Sequence, residues 1–203
     1  MSETKRVTKR RGETRQRLLD AALEVFAEQG FGASTVEQVC ERAGYTRGAF
    51  YSNFVSLDEL FLAMWEQRSE RMLSDLRDEL TDAPEASSLE AAIERVLAVI
   101  PVDDTWFRVT AEFTAHALRN PALRRVVAAR EEAILATIMP ILESALSAAG
   151  LRITDRRALG MALVAVHDGT AVQCLIEPDD KAVWAARQQL FVNVVRAYSE
   201  GAT

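Results

Sequence analysis

Residues 42 to 54, RAGYTRGAFYSNF, interrupt a sequence that is otherwise rich in Ala, Leu, Arg and Glu. A short helix is predicted to end at Gly44, because two overlapping capping boxes open it and Gly commonly closes a helix. Thr46 can cap a second helix, with a hydrophobic staple between Tyr45 and Phe50. This order of helix, glycine turn and short helix is typical of a helix-turn-helix, whose second helix enters the major groove of DNA.

The faces of this second helix differ in residue size. At about 100° per residue, Phe50 and Phe54 point inward, whereas Gly48, Ala49 and Ser52 point outward. A helix facing only water would carry Lys, Glu or Gln there, because these residues form helices better than Gly or Ser. Small residues instead let the backbone approach another surface closely. A tightly packed internal turn is the alternative interpretation, since Gly and Ala also serve helix packing.

Hydrogen-bonding side chains flank this bare outer face. Arg47 and Tyr51 lie on one side of it and Asn53 lies on the other. At these positions they could donate hydrogen bonds to DNA phosphates or to base edges. The pattern therefore favours a helix that reads DNA.

A basic segment precedes the helices. Residues 1 to 17 contain seven Lys and Arg and two Glu, whereas the whole chain has a net charge of −6. A basic end on an acidic body is expected where that end meets a polyanion, and a disordered solubilising tail is the alternative. We predict a flexible basic arm over residues 1 to 13, with DNA contacts from Arg10, Arg11 and Arg15.

The remaining sequence predicts more helices and no strand. Apolar residues recur at three- and four-residue spacing from Thr14 to Gly30 and again after Ser56. Pro140 is expected to kink or break the longest later helix. The fold class is therefore all-α, with a helix-turn-helix domain over residues 14 to 56 and a helical domain over residues 57 to 203. The later helices are expected near 89–100, 104–119, 122–149, 155–177 and 181–199.

Residues 14 to 61 resemble the DNA-binding domain of the TetR (tetracycline-repressor) family of bacterial transcription regulators. Gly30-Phe31 at the end of the first helix, Ala43-Gly44, Gly48 and the Tyr51-to-Phe54 segment carry the resemblance. It implies that Arg47, Gly48 and Ala49 lie nearest the bases. It also implies backbone contacts from Thr35, Thr46, Tyr51 and Asn53.

Two positions depart from the family pattern. Asn53 stands where a His is common, which keeps a hydrogen-bonding group but removes a titratable one. Leu57 stands where members often carry a Lys that reaches a phosphate, and the basic arm is the candidate replacement. Leu57 is also the one hint of the alternative that this is a helical interaction protein without DNA binding.

The same resemblance implies a C-terminal helical body that forms a homodimer. Residues 158 to 176 are apolar almost all round, so this helix must be covered on more than one side. A membrane span is the alternative, but His167, Asp168 and Gln173 interrupt the apolar run. Two such helices from each chain would form a four-helix interface. The candidate interface residues are Leu159, Leu163, Val166, Thr170, Trp184, Gln188, Phe191 and Val195.

A small-molecule effector is the second partner that the resemblance implies. Its chemistry is not readable from the sequence, and an aromatic stripe or a lone His belongs to the core more often than to a ligand site. The candidates are Trp106, Phe107, Thr110, Phe113 and His116, with Met139, His167 and Gln173 facing them.

Other function classes lack sequence support. Hydrophobic residues make up 49% and charged residues 27%, as in ordinary globular proteins rather than disordered ones. There is no Gly-rich phosphate loop or catalytic triad, and two His are too few for a metal site, so we expect no enzyme and no cofactor. Cys40 and Cys174 are expected to be buried, and the polar N-terminal segment suggests a cytoplasmic protein. The favoured function is a ligand-responsive repressor, with an activator left open.

Overall fold

The computed structural model describes residues 3–82, 88–100 and 102–201. Nine α-helices and one short two-stranded sheet make up this part of the chain, with a 3₁₀ turn at Phe31–Ala33. The all-α fold class is confirmed. The helices are α1 Glu3–Gln29, α2 Val36–Ala43, α3 Arg47–Tyr51, α4 Leu57–Asp82, α5 Leu89–Val99, α6 Asp104–Ala117, α7 Pro121–Ala148, α8 Arg156–Ile176 and α9 Lys181–Ala197, and the strands are β1 Leu151–Ile153 and β2 Ser199–Gly201.

The first helix begins earlier than the sequence pattern indicated. Residues 3 to 13, expected as an arm, are the opening turns of α1. This corrects the expectation of a separate arm there, while residues 1 and 2 lie outside the described part. Lys, Arg, Glu and Gln form helices well, and adding turns to an existing helix is easier than starting one.

The expectation of no strand was wrong. β1 and β2 pair in antiparallel fashion, with Leu151 opposite Gly201 and Ile153 opposite Ser199. Strands of three residues are too short to show an alternating pattern, and the two lie far apart in sequence. Gly150, with φ of 71°, ends the preceding helix and turns the chain into β1.

A kink or a break was expected at Pro140, and the break does not occur. Helix α7 continues through Pro140 from Pro121 to Ala148. Pro removes one backbone hydrogen bond from a helix, but neighbouring packing can outweigh that loss. Met139 and Leu142, on either side of Pro140, are both buried in the structure.

The chain divides into two compact units. The N-terminal unit comprises Met1–Arg68 and Arg108–Val127, and the C-terminal unit comprises Ser69–Phe107 and Ala128–Thr203. Helices α4, α6 and α7 contribute residues to both units. The division at residue 57, between a DNA-binding domain and a helical effector-binding and dimerisation domain, stays a prediction.

Aromatic rings form the core of the N-terminal unit. Phe61 and Phe113 stack at a centroid distance of 3.7 Å, and Phe31 meets the Phe113 ring edge-on at 5.0 Å. Helix α6 is fixed to this core by polar contacts as well. Phe31 N donates to Glu112 Oε2 at 2.6 Å, and Arg108 Nη1 donates to the carbonyl at the end of α1, Ala27 O, at 3.3 Å.

Mostly aliphatic side chains from several helices form the core of the C-terminal unit. Helix α9 packs there against α5 and α8, and an Arg196–Glu90 ion pair joins α9 to α5. The buried cluster consists of Leu89, Ile93, Met139, Leu142, Leu146, Leu159, Phe191, Val192 and Val195.

Candidate nucleic-acid interface

Capping residues define both helices of the helix-turn-helix. Thr35 Oγ1 accepts from Gln38 N at 3.2 Å, while Gln38 Oε1 accepts from Thr35 N at 2.8 Å, so α2 opens with a complete capping box. Gly44 ends α2 with φ of 72°, a left-handed conformation that favours glycine. Thr46 Oγ1 then accepts from Ala49 N at 3.3 Å and caps α3. These local bonds fix the turn between the two helices.

The two faces of α3 differ as the sequence predicted. Phe50 is completely buried and Phe54 nearly so, whereas Gly48 and Ser52 are exposed and Ala49 is half-buried. A Cβ added at Gly48 would meet only Thr46 Oγ1, at 3.7 Å. The chain's own packing therefore does not require glycine at position 48.

Arg47 and Tyr51 form a pair on the exposed side of α3. The Arg47 guanidinium lies over the Tyr51 ring, 5.8 Å from its centroid, and Tyr51 is half-exposed. Two neighbours raise the pKa of Arg47 above its usual value. The larger cause is a hydrogen bond to Tyr51, and the smaller is the nearby Glu37 carboxylate. Arg47 Nη1 lies 2.8 Å from Glu37 Oε1, a contact that the sequence analysis missed.

Asn53 is less available for DNA than the sequence suggested. Its Nδ2 donates to Ala49 O at 2.8 Å inside the helix. Its Oδ1 is buried with no hydrogen-bond partner among the described residues. The Asn53 amide carries two N–H donors and this bond occupies one of them, so the other can still donate to a phosphate.

Two of the predicted basic residues contact the helix-turn-helix itself. Arg11 Nη2 donates to Ser52 O at 3.0 Å, and the Arg15 guanidinium lies 5.2 Å from the centroid of the Phe54 ring. Arg10 is exposed. Arg11 and Arg15 therefore join α1 to the end of α3. Leu57, where the family often has a Lys, is half-buried at the start of α4.

Ion pairs link α2 to α1. Arg42 donates to Glu24 at 2.9 Å and to Glu28 at 2.9 and 2.5 Å. Hydrogen bonds to Arg42 hold the pKa of Glu28 below its usual value. Sequence patterns within one helix could not show these contacts, because the partners lie on different helices.

The candidate effector residues do not share one environment. Phe113 is fully buried in the aromatic core of the N-terminal unit, and Met139 is buried in the aliphatic core of the C-terminal unit. Both side chains pack in a core, and their contact with an effector stays a prediction. Gln173 is exposed, and Trp106, Phe107 and Thr110 are partly buried. His116 Nε2 lies 3.1 Å from Asp58 Oδ1, without hydrogen-bond geometry.

His167 belongs to a polar network between α8 and α9. Arg187 is 3% exposed, and its Nη1 donates to Thr170 Oγ1 at 2.6 Å and to His167 O at 3.3 Å. Arg187 Nη2 lies 3.0 Å from His167 Nδ1. Burial, and then the positive charge of Arg187, lower the pKa of His167 to about 4. His167 is therefore neutral at pH 7 and accepts through Nδ1.

The predicted dimer residues differ in their exposure. Leu159, Phe191 and Val195 belong to the core of their own chain, so they are corrected to core residues. Thr170 is buried with Arg187, and Leu163, Val166 and Gln188 are partly buried. Trp184 is 40% exposed. The sequence analysis missed three other exposed apolar residues on α8 and α9, which are Met161, Ile176 and Leu190.

Both cysteines are buried free thiols, as predicted. Burial raises the pKa of each thiol. Within residues 3–82, 88–100 and 102–201, no cluster of His, Cys, Asp and Glu could hold a metal ion.

Comparison with known proteins gives the family. A family model described as "Bacterial regulatory proteins, tetR family" matches residues 18–64. A second, described as "BetI-type transcriptional repressor, C-terminal", matches residues 85–198, more than half of the chain.

Curated relatives and solved structures agree with these matches. The HTH-type transcriptional activator FasR of Mycolicibacterium smegmatis is 28% identical over 162 residues, 79% of this chain and 72% of that protein. The regulator SrpR of Pseudomonas putida is 43% identical over 68 residues, 34% of this chain and 32% of that protein.

Salmonella enterica GusR superposes with a TM-score of 0.72 at 22% identity, over 90% of this chain and 95% of that one. Bacillus subtilis FadR, solved in complex with stearoyl-CoA, superposes with a TM-score of 0.65 at 20% identity, over 89% of this chain and 97% of that one. These structural matches show a shared fold. With both family models and the helix-turn-helix geometry, they establish this chain as a DNA-binding transcriptional regulator of the TetR family.

Proposed function

We propose that this regulator is a cytoplasmic repressor that binds a palindromic operator as a homodimer and leaves it when a small-molecule effector binds. The observation that carries the DNA-binding part is the exposed face of α3. Gly48 and Ser52 leave that face bare, and Arg47 and Tyr51 stand beside it. Its shape suits close approach to a groove, with donors placed for base edges or phosphates.

Replacing Arg47 by alanine tests this face directly. We expect R47A to bind a duplex from the promoter nearest its own gene at least about tenfold more weakly, because a bidentate base contact contributes about 1–3 kcal/mol. Fluorescence anisotropy titrations at fixed salt measure the change. R157A removes the same charge from the C-terminal unit and should bind as wild type. Equal operator affinity in R47A and wild type would rule out the proposed reading face.

The exposed apolar residues of α8 and α9 support the homodimer. Met161 is 65% exposed, Ile176 is 72% exposed and Leu190 is 42% exposed. Helix α8 is long and apolar enough to cross a membrane, with a mean hydropathy of 1.5, yet only 28% of that stretch is buried. A second copy of the chain would cover this surface, and closed two-fold dimers are the commonest oligomers.

An M161D/I176D double variant tests the dimer. We expect at least a tenfold weaker dimer, because two carboxylates would be buried in an apolar interface. Sedimentation velocity over a dilution series measures the monomer fraction. L118D, which places a carboxylate at another exposed apolar site, should remain dimeric. A double variant that dimerises as tightly as wild type places the interface elsewhere.

The effector and the direction of regulation rest on the relatives. FadR of Bacillus subtilis was solved with stearoyl-CoA, which supports a ligand-binding role for the body of this fold. FasR is named an activator, so activation is the second candidate function. A reporter driven by the bound promoter separates the two, because deleting the regulator raises expression under repression and lowers it under activation.

A further inference from the structure

Glu37 pairs with the cation of the proposed reading face. It lies in the first turn of α2, and its Oε1 is 2.8 Å from Nη1 of Arg47, the first residue of α3. The Glu37 side chain is 57% exposed and the Arg47 side chain 62%. The carboxylate thus stands at the edge of the surface that would face DNA.

Stability alone gives a weak reason for this pair. Exposed ion pairs typically contribute about 0–1 kcal/mol, because solvent screens them and two long side chains must be ordered. The capping box at Thr35 and the burial of Val39 and Cys40 already fix α2. A Glu near a helix N-terminus adds only about 0.3–1 kcal/mol.

A carboxylate in this position affects the phosphate backbone and the bases differently. Phosphates attract Arg47 in any sequence and repel Glu37, so the pair has little net attraction for the backbone. Arg carries five donors in a planar fork, and a single carboxylate oxygen engages only part of it. The remaining donors can still meet the O6 and N7 acceptors of a guanine.

We propose that Glu37 is a specificity-determining residue that holds Arg47 for base contact and suppresses its binding to the phosphates of non-operator DNA. This rests on the proposed function, because it requires that α3 faces DNA. The attraction to the correct bases remains, while attraction common to all sequences is removed. Specificity is a difference between two affinities, and here it would be increased by weakening the unwanted one.

The charge-neutral variant E37Q is the principal test. We expect its affinity for a random duplex to rise about tenfold, because Arg47 is then free to bind any phosphate. Operator affinity should change by less than about threefold, since the base contact is kept. The salt dependence of random-duplex binding should steepen by about 0.9 log units per log unit of salt, the value for one phosphate contact.

A second variant on the same helix controls for net charge. E41Q removes an exposed carboxylate from α2 one turn beyond Glu37. It should leave the ratio of operator to random affinity unchanged. Adding R47A to E37Q should abolish the E37Q effect, as expected if the two residues act as a pair. Thermal unfolding of each variant confirms that it is folded.

The remaining outcomes distinguish failure of this inference from failure of the proposed reading face. An equal ratio in E37Q and wild type, or the same loss of ratio in E41Q, overturns the inference. A large drop in the operator affinity of E37Q that depends on the identity of one base pair also overturns it. Glu37 would then accept a hydrogen bond directly from a cytosine N4. If R47A alone binds the operator as wild type does, the proposed reading face fails as well. A weakened R47A beside an unchanged E37Q ratio overturns the inference alone.

Discussion

The F113A variant is expected to lose about 3–5 kcal/mol in its free energy of unfolding, the usual cost of truncating a buried Phe. Phe113 is fully buried, and its ring stacks on Phe61 at 3.7 Å with 14° between the ring planes. Phe31 meets it edge-on at 5.0 Å, so truncation removes contacts on several sides at once. Chemical denaturation at one fixed protein concentration measures the loss, because the stability of the proposed dimer would depend on concentration.

The exposed aromatic residue Tyr51 supplies the comparison for this experiment. Tyr51 is 50% exposed, so we expect Y51A to lose much less stability than F113A. If F113A has wild-type stability but no effector response, Phe113 would be an effector contact rather than a core residue. Destabilisation with a retained effector response would support its place in the core.

Lowering the pH from 7 to 4 is expected to cost up to about 3 kcal/mol of stability through His167. Burial and the Arg187 charge hold the folded-state pKa near 4, whereas the ordinary value is 6.5. Between these pH values the unfolded chain binds an imidazole proton that the folded chain does not. Stability therefore falls as the pH drops through this window, and below about pH 4 the His167 contribution is fully lost.

Two carboxyl groups near His167 change the stability with pH in the opposite direction. Partial desolvation raises the pKa of Asp168, and partial desolvation together with the Asp168 charge raises the pKa of Glu131, so protonating these carboxyls favours the folded state at low pH. The comparison of wild type with H167Q isolates the histidine, because a glutamine carbonyl can still accept from Arg187. Urea unfolding measured at several pH values between 4 and 7 should show a shallower pH dependence in H167Q. The same dependence in both proteins would contradict the assigned role.

The helix-turn-helix was predictable because its signals are local. The Thr35 capping box, the left-handed Gly44 and the Thr46 cap each involve residues within a few positions of one another. Phe50 and Phe54 follow helical spacing, so their burial also followed from the sequence. Membership of the TetR family rests on this same segment and on the body that follows it.

The surroundings of the reading face could not be predicted in the same way. Arg11 donates to Ser52 across 41 positions of sequence, and Arg42 reaches back to Glu24 and Glu28 on another helix. Glu37 meets Arg47 only because the Gly44 turn sets the angle between α2 and α3. Long charged side chains have many rotamers, so their partners are decided by which helices come together.

The sequence by itself determined the α2–α3 pair, its caps and the inward face of α3, because hydrophobic periodicity and capping act within one or two turns. The tertiary structure decided which face of α8 and α9 is the core. Leu159 and Met161 are two positions apart on an almost uniformly apolar helix, yet Leu159 is fully buried and Met161 is 65% exposed. A helix that is apolar on every side carries no pattern to distinguish these faces, so only its packing against neighbouring helices can do so.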